Sequence, residues 1–204
     1  MKKNFLNRTY ELKTEEQTFL HYEEWAETYD ADLFDNQYAQ PRRSVEALCT
    51  YLKETDIRVL DVGCGTGLSG KALRGSGFKE IDGCDFSPSM LKKAEITNAY
   101  RNLFEADLNK GLDIPDNSYD AISAVGVLAH AHIDSDAIHE MLRVLKSGGL
   151  LVIALNEHYW EGGLLPEKLE EISKEGLAEV LMKEYGEHMP GVDVGGWVAV
   201  LRKA

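Results

Sequence analysis

Apolar positions set the first rhythm of the chain. Phe19, Tyr22, Ala26 and Tyr29 fall on one face at helical spacing, and so do Val45, Leu48, Cys49 and Leu52. The period then shortens: residues 57–62 (IRVLDV) form a β-rich run ending at Gly63, and a helix is expected over 68–73. The unit recurs. Residues 80–85 (EIDGCD) read as a second strand, and Ser87 before Pro88 carries the chemistry of a helix start. A serine oxygen accepts from an otherwise orphaned N–H, and proline has no N–H to orphan. That helix continues through Met90, Leu91 and Ala94. Residues 103–106 and 119–125 predict the third and fourth strands. Asp134 is placed to cap a helix with Ile138, Met141, Leu142 and Leu145 on its apolar face, ended by Gly148. Residues 150–155 are apolar on both faces, as a strand covered by helices should be. Leu165, Leu169 and Ile172 mark one more helix, and residues 179–185 and 196–202 predict the last two strands.

Strands alternating with helices at this spacing imply right-handed crossovers. The expected fold is therefore a doubly wound, Rossmann-like α/β sandwich: a mostly parallel seven-stranded sheet with helices on both faces. At 204 residues the chain suits one domain, and no repeat or linker divides it. The charge narrows the partners. With 22 basic and 35 acidic residues the formal charge is −13, and the basic pairs Arg42-Arg43 and Lys92-Lys93 are isolated, so no nucleic-acid partner is expected. Three cysteines, Cys49, Cys64 and Cys84, fit free thiols in a reducing compartment. The first residues lack a signal-peptide core, and the run 150–155 is too short to span a bilayer. A cytoplasmic protein with no membrane association is expected, as a monomer or homodimer.

The most informative segment is VLDVGCGTGLSG, residues 59–70. Gly63, Gly65 and Gly67 stand between a strand and a helix, where they permit a tight turn and let a ligand touch the main chain. Residues 65–70 also satisfy the GxGxxG pattern of dinucleotide enzymes, so a nicotinamide oxidoreductase is one reading. Asp61 opposes it. A carboxylate two residues before the first glycine repels a pyrophosphate but suits a cationic ligand. Asp85, at the end of the second strand, is positioned to accept ribose hydroxyls from any nucleoside. Asp107, after the third strand, offers an acceptor for an adenine amino group. Three carboxylates at successive strand ends around a glycine turn suit a cationic nucleoside without phosphates, which describes S-adenosylmethionine.

Here the motifs resemble a family. VLDVGCGTG resembles motif I of the class I S-adenosylmethionine-dependent methyltransferases, GCDFSPSML their acidic second motif, EADL the adenine-binding third and LRVLKSGGLLVIAL the strand-five signature. The match covers residues 57–155 in order. YEEWAETYD resembles an aromatic lid helix, and GLSGKALRGSGFKEIDGCDFSPSML with the closing GGWVAVLRK is similar to the methyltransferase-like family named for the Williams–Beuren syndrome region. The resemblance implies a lid over 1–40, a cofactor core over 41–155 and an acceptor-side segment over 156–204. It implies that the turn Gly63, Cys64, Gly65, Thr66 and Gly67 lines the methionine part, with Asp61 near its amino group. Asp85 would hold the ribose, with Phe86, Ser87 and Met90 beside the adenosine, and Asp107 and Leu108 would read the adenine edge. Val125, Gly126 and Val127 would pass under the sulfonium, and Trp25 and Tyr29 would close over the cofactor.

Methyl transfer needs alignment and water exclusion more than a catalytic group. Where a base is used, His130 and His132 are the candidates, and His132 is the one assigned; their spacing, with Asp134, does not amount to a metal site. Asn156, His158 and Tyr159 are further candidates on the acceptor side. The segments expected to build the acceptor pocket, residues 1–40, 127–133 and 156–196, are aromatic and acidic, which favours a small-molecule acceptor, apolar or cationic; no Asn-Pro-Pro-Tyr motif follows the fourth strand, which counts against N-methylation of a base or glutamine. The expected function is S-adenosylmethionine-dependent methyl transfer to such a molecule, releasing S-adenosylhomocysteine. The alternatives are the oxidoreductase and a non-catalytic S-adenosylmethionine-binding protein.

Overall fold

A computed structural model describes residues 5–9, 12, 14–129, 136–162 and 165–204. The chain opens with α1 (Phe5–Thr9), α2 (Glu15–Trp25), α3 (Tyr29–Asp35) and α4 (Gln40–Tyr51). It then alternates through β1 (Arg58–Val62), α5 (Leu68–Gly75), β2 (Glu80–Asp85), α6 (Pro88–Ile96), β3 (Asn102–Glu105) and β4 (Tyr119–Val125). The closing elements are α7 (Asp136–Val144), β5 (Leu145–Asn156), α8 (Glu157–Gly162), α9 (Leu165–Lys174), β6 (Ala178–Met189) and β7 (Val194–Lys203). The seven strands lie in the order β3-β2-β1-β4-β5-β7-β6, with β7 antiparallel to both neighbours and the other pairs parallel. This is the doubly wound fold that the alternation predicts.

Period-two patterning explains the two layers. In β5, Leu150, Val152 and Ala154 pack into one core with Val45 and Leu48 of α4 and Leu73 of α5, while Leu151, Ile153 and Leu155 pack into the other with Met141 of α7 and Ile172 of α9. Val59 against Leu60 and Val62 in β1, and Val198 and Val200 against Ala199 and Leu201 in β7, divide the same way. Burying both faces is what forces these strands to be apolar throughout. The Ser87 cap forms as expected, its hydroxyl accepting from Met90 N at 3.1 Å with Pro88 opening the helix.

Several boundaries differ from the periodicity. The face Phe19–Tyr22–Ala26–Tyr29 is split between two helices, because the chain turns after Trp25 and Asp32 accepts from both Trp25 Nε1 (2.8 Å) and Thr28 Oγ1 (3.1 Å). Leu145 belongs to β5 and pairs with Tyr119, so the helix ends before Gly148, which sits inside the strand at φ 75°. A buried leucine satisfies either period, and cross-strand pairing decides between them. β6 runs to Met189, beyond residue 185, because β7 gives it a partner over that whole length. The proposed cap Asp134 lies outside the described residues.

Tyr100 ties the centre together. Its hydroxyl donates to Asp61 Oδ2 at 2.7 Å and accepts from Gly70 N at 3.1 Å. A Cβ on Gly70 would stand 2.2 Å from the Tyr100 ring, so the hydroxyl reaches Asp61 only over a bare backbone. Gly70→Ala is expected to cost about 1–3 kcal/mol, the usual penalty of overpacking a core, read by urea denaturation; wild-type stability in that variant would contradict the contact.

Candidate functional site

The strand order reverses between β1 and β4, where ligands of open α/β sheets bind at the carboxyl ends. Two turns face each other there: residues 63–67 after β1, and Gly126 with the 3-10 turn Val127–Ala129 after β4. Between them opens a cleft of about 850 Å³ including the solvent at its mouth. Gly63, Gly65, Cys84, Asp85, Phe86, Met90, Ala106, Asp107, Leu108, Asn109, Val125, Gly126 and Val127 line it, and Thr18 and Tyr22 of α2 and Tyr29 of α3 cover it. At Gly65 φ is 52°, and a Cβ there would meet no heavy atom within 4 Å; it would project into open space. At Gly63 the bare backbone instead admits Val127, whose Cγ2 would lie 2.3 Å from a Cβ.

Asp85 stitches the turn to β2. Its Oδ2 accepts from Gly65 N at 2.8 Å and its Oδ1 from Ser87 N at 2.9 Å. Each carboxylate oxygen accepts more than one hydrogen bond, so acceptor capacity remains for a ligand. Burial raises its pKa to about 6, against the lowering effect of the amides of Ser87, Gly65 and Phe86. Asp61 is deeper, 1% exposed, and burial raises it to about 7 although Tyr100 hydrogen-bonds it. Ser123, its register partner in β4, lowers it as Tyr100 does, without reversing the effect of burial. Asp82 makes the contrast. It is equally buried, but Arg101, Tyr119 and Asn102 donate to it and outweigh its desolvation, holding its pKa below the ordinary value. A buried carboxylate with a guanidinium partner is structural; Asp61 and Asp85 have none. Among the described residues, the cleft is lined by two carboxylates, Asp85 and Asp107, and by no lysine or arginine.

The residues singled out in the sequence separate into two groups. Tyr29, Gly63, Gly65, Asp85, Phe86, Met90, Asp107, Leu108, Val125, Gly126 and Val127 come to the cleft wall. Trp25, Asp61, Cys64, Thr66, Gly67 and Ser87 do not line it. Trp25 is 2% exposed and packs against Phe5, His21, Tyr22 and Tyr29, facing a neighbouring chamber. Asp61 stands behind the turn, held by Tyr100. Cys64 is buried, and Thr66 donates to Asp30, next to α3's first residue. Gly67 packs against Ala94 of α6 and its C-cap Thr97, where a Cβ would find 3.2 and 3.0 Å. Ser87 caps α6. His130, His132 and Asp134 lie outside the described residues, and among those described no cluster of His, Cys, Asp or Glu is arranged to hold a metal.

Thr18, Cys84, Ala106 and Asn109 line the cleft without a signal of their own; each is a neighbour of a motif residue or of the lid face. Glu23 was equally silent. Its carboxylate accepts from Ser87 Oγ, from Ser89 N at 3.1 Å and from Ser89 Oγ at 2.6 Å, at the positive end of α6. Burial pushes Glu23 upward, but these hydrogen bonds outweigh it and hold it below its ordinary pKa.

Residues 60–153 match a family model described as a methyltransferase domain. Methyltransferase-like protein 27 of Homo sapiens is 34% identical over 169 residues, covering 79% of this chain and 68% of that protein. The 18S rRNA (guanine-N(7))-methyltransferase of Bos taurus is 33% identical over 134 residues, 60% of this chain, and the chain spans only 47% of its length. A methyltransferase structure from Mesorhizobium loti, S-adenosylmethionine dependent by its description, aligns with a TM-score of 0.60 at 17% identity, over 78% of this chain and 96% of that one.

The raised carboxyls have a consequence for stability. A carboxyl that titrates near 7 when folded and near its ordinary 3.8 when unfolded keeps its proton in the folded state only. Between about pH 4 and 7 Asp61 therefore costs progressively more stability as pH rises. His21 and His188, both lowered to about 4 chiefly by burial, act oppositely, gaining stability from about pH 4 to 6.5. The difference between proteins isolates Asp61. The advantage of Asp61→Asn over wild type is expected to grow by a few kcal/mol from pH 4.5 to pH 7.5, at about 1.4 kcal/mol per unit. Denaturation at both pH values reads this, and a constant difference would contradict it.

Proposed function

The chain belongs to the class I S-adenosylmethionine-dependent methyltransferases, and from that footing we propose that it methylates a small-molecule acceptor, releasing S-adenosylhomocysteine. The observation that carries the reading is the charge of the cleft: among the described residues Asp85 and Asp107 line it and no lysine or arginine does, and Asp107 alone of the two has a cationic partner, the exposed Lys110 at 2.7 Å. An anionic pyrophosphate finds no countercharge there, whereas a cation does. The GxGxxG match also loses its dinucleotide meaning. Gly67 is spent on packing against α6 and Gly70 on Tyr100, so only Gly65 of the three faces the cleft.

The open space at Gly65 and the remaining acceptor capacity of Asp85 fit an adenosine ligand. In this reading Asp85 holds the ribose hydroxyls, Phe86 and Met90 pack beside the base, and Asp107 with Leu108 reads its edge. The turn 63–67 lies along the methionine part. Asp61 stands behind the turn, where a bound cation would favour its ionised form, and Val125–Val127 closes the opposite wall. S-adenosylmethionine, when bound, supplies a methyl group on a positively charged sulfur. The chain's own residues align and exclude water; positioning of this kind is worth roughly 7–11 kcal/mol. Tyr22 and Tyr29 do this from above, and aromatic faces tolerate a cation beneath them.

The lid over 1–40, the core over 41–155 and the segment over 156–204 act as one catalytic unit in this reading. A small acceptor, rather than nucleic acid, is supported by the charge of −13 and by the covered cleft. Free thiols and the absence, among described residues, of a helix able to cross a membrane agree with a cytoplasmic site of action.

Calorimetry tests the cofactor. S-adenosylmethionine and S-adenosylhomocysteine are expected to bind and NADH is not, and Asp85→Ala should weaken binding about 10- to 100-fold, the loss of hydrogen bonds to a charged group. Tight NADH binding with no S-adenosylmethionine binding would sink the assignment. Methyl release from S-adenosylmethionine in a metabolite extract tests turnover; binding without release would leave a non-catalytic binding protein.

A further inference from the structure

A second chamber of about 500 Å³, open solvent included, adjoins the cofactor cleft, and Tyr22, Tyr29 and Gly126 wall both. Leu6, Trp25, Leu33 and Met189 form its apolar side. Its remaining polar atoms come from Thr9, Tyr38, Asn156, Tyr159 and His188. Among the described residues no lysine, arginine, aspartate or glutamate lines it, which sets it apart from the acidic cleft next door.

Two of these residues are placed by specific devices. The β6–β7 register passes from Glu187↔Gly195 to Met189↔Val194, so two residues of β6 oppose one of β7 and His188 is the extra one. A bulge re-aims a side chain that regular pleating would send elsewhere. A Cβ on Gly196 would stand 2.4 Å from Gln40 Nε2, 2.7 Å from Leu155 O and 3.0 Å from His188 Cβ, so the bare backbone there admits His188 together with the other two. The imidazole lies edge-on to Tyr38 with centroids 5.1 Å apart, is 5% exposed, and its Nδ1 has no hydrogen-bond partner. Burial first, and Arg43 second, keep it uncharged at neutral pH. Asn156 accepts from Tyr159 N through Oδ1 at 3.0 Å, which fixes the amide orientation.

We propose that this chamber receives the methyl acceptor, that the acceptor is an uncharged small molecule with an aromatic body, and that His188 selects it by hydrogen bonding to its polar group. The proposal rests on the methyltransferase reading above for the word acceptor, and on the chamber alone for the chemical class. An ion entering this space would shed its water with no countercharge to replace it. A flat apolar body instead meets Trp25, Tyr22 and Tyr29, whose rings favour stacked or edge-on neighbours. The shared wall at Gly126 is where the two chambers meet.

The test is calorimetry at pH 7.5 with three naphthalene probes of one shape: 2-naphthol, 2-naphthoate and 2-naphthylmethylammonium. S-adenosylhomocysteine is titrated first; its failure to bind would remove the methyltransferase reading, and the probes alone would then still report on the chamber. The neutral probe is expected to bind at least about 10-fold more tightly than either ion. His188→Ala should weaken 2-naphthol about 3- to 12-fold, the worth of one hydrogen bond, with S-adenosylhomocysteine affinity unchanged, and His188→Gln should recover part of the loss. An ion bound as tightly as 2-naphthol, no probe bound at all, or full 2-naphthol affinity in His188→Ala would each overturn it. If His188→Ala does not fold, the wild-type series and His188→Gln decide.

Discussion

A carboxylate sunk in the middle of a sheet has to be held by something, and here Tyr100 holds Asp61. Asp61 lies between Gly83 of β2 and Ser123 of β4 in register, in the interior of the fold. Tyr100 reaches it by crossing two bare backbones, Gly70 and Gly83, at each of which a Cβ would press within 3 Å of the ring. The same hydroxyl accepts from Gly70 N in α5. One phenol therefore joins the strand before the glycine turn to the helix after it, and the turn between them inherits a fixed shape. Asp85 then ties the turn to β2 through Gly65 N. With the turn held from both sides, its open face is available to a ligand.

The acidic character of the chain is put to work at this place. Glu23 of α2 sits on the N-terminus of α6, Asp30 receives Thr66 of the turn, and Asp32 receives Trp25. These contacts hold the aromatic cover onto the cofactor side without a single lysine or arginine, and the cleft beneath keeps an excess of negative charge. Lys110 pairs with Asp107 of the cleft wall at 2.7 Å, and other basic residues are spent elsewhere. Arg101 neutralises Asp82 in β2, Arg143 pairs with Glu140 and Asp116, and Arg43 donates to main-chain carbonyls of Glu187 and Gly196.

Two adjoining chambers of unlike polarity follow from this division. The cleft under Tyr22 and Tyr29 is acidic and bordered by bare main chain; the chamber beyond is neutral, aromatic and shaped by a bulge in β6. A cationic donor on one side and an uncharged partner on the other each meet the environment that costs them least to enter. Gly126, at φ 75°, is part of both walls.

The alternation of short apolar runs with helical faces was enough for the doubly wound fold, because a strand buried on both sides must be apolar throughout and the crossovers have one hand. Motif positions such as Gly65, Asp85 and Asp107 were legible for a related reason. A ligand bound at strand ends needs those residue types within a few positions of a strand, and that is local information. Helical spacing cannot say which of two neighbouring spaces a ring faces, and Trp25 faces the second chamber. The end of α7 is not set by periodicity, because Leu145 is buried in either period. Glu23, Tyr100 and His188 carried no signal at all: the first two act on partners 64 and 39 residues away, and the third depends on a register shift between two strands. Sequence by itself determined the fold, the glycine turn and the acids around it, since those follow from local pattern. Which carboxylates lack a cation, which ring faces which chamber, and that the second chamber is uncharged were decided only when distant segments packed, because charge compensation and register are properties of pairs.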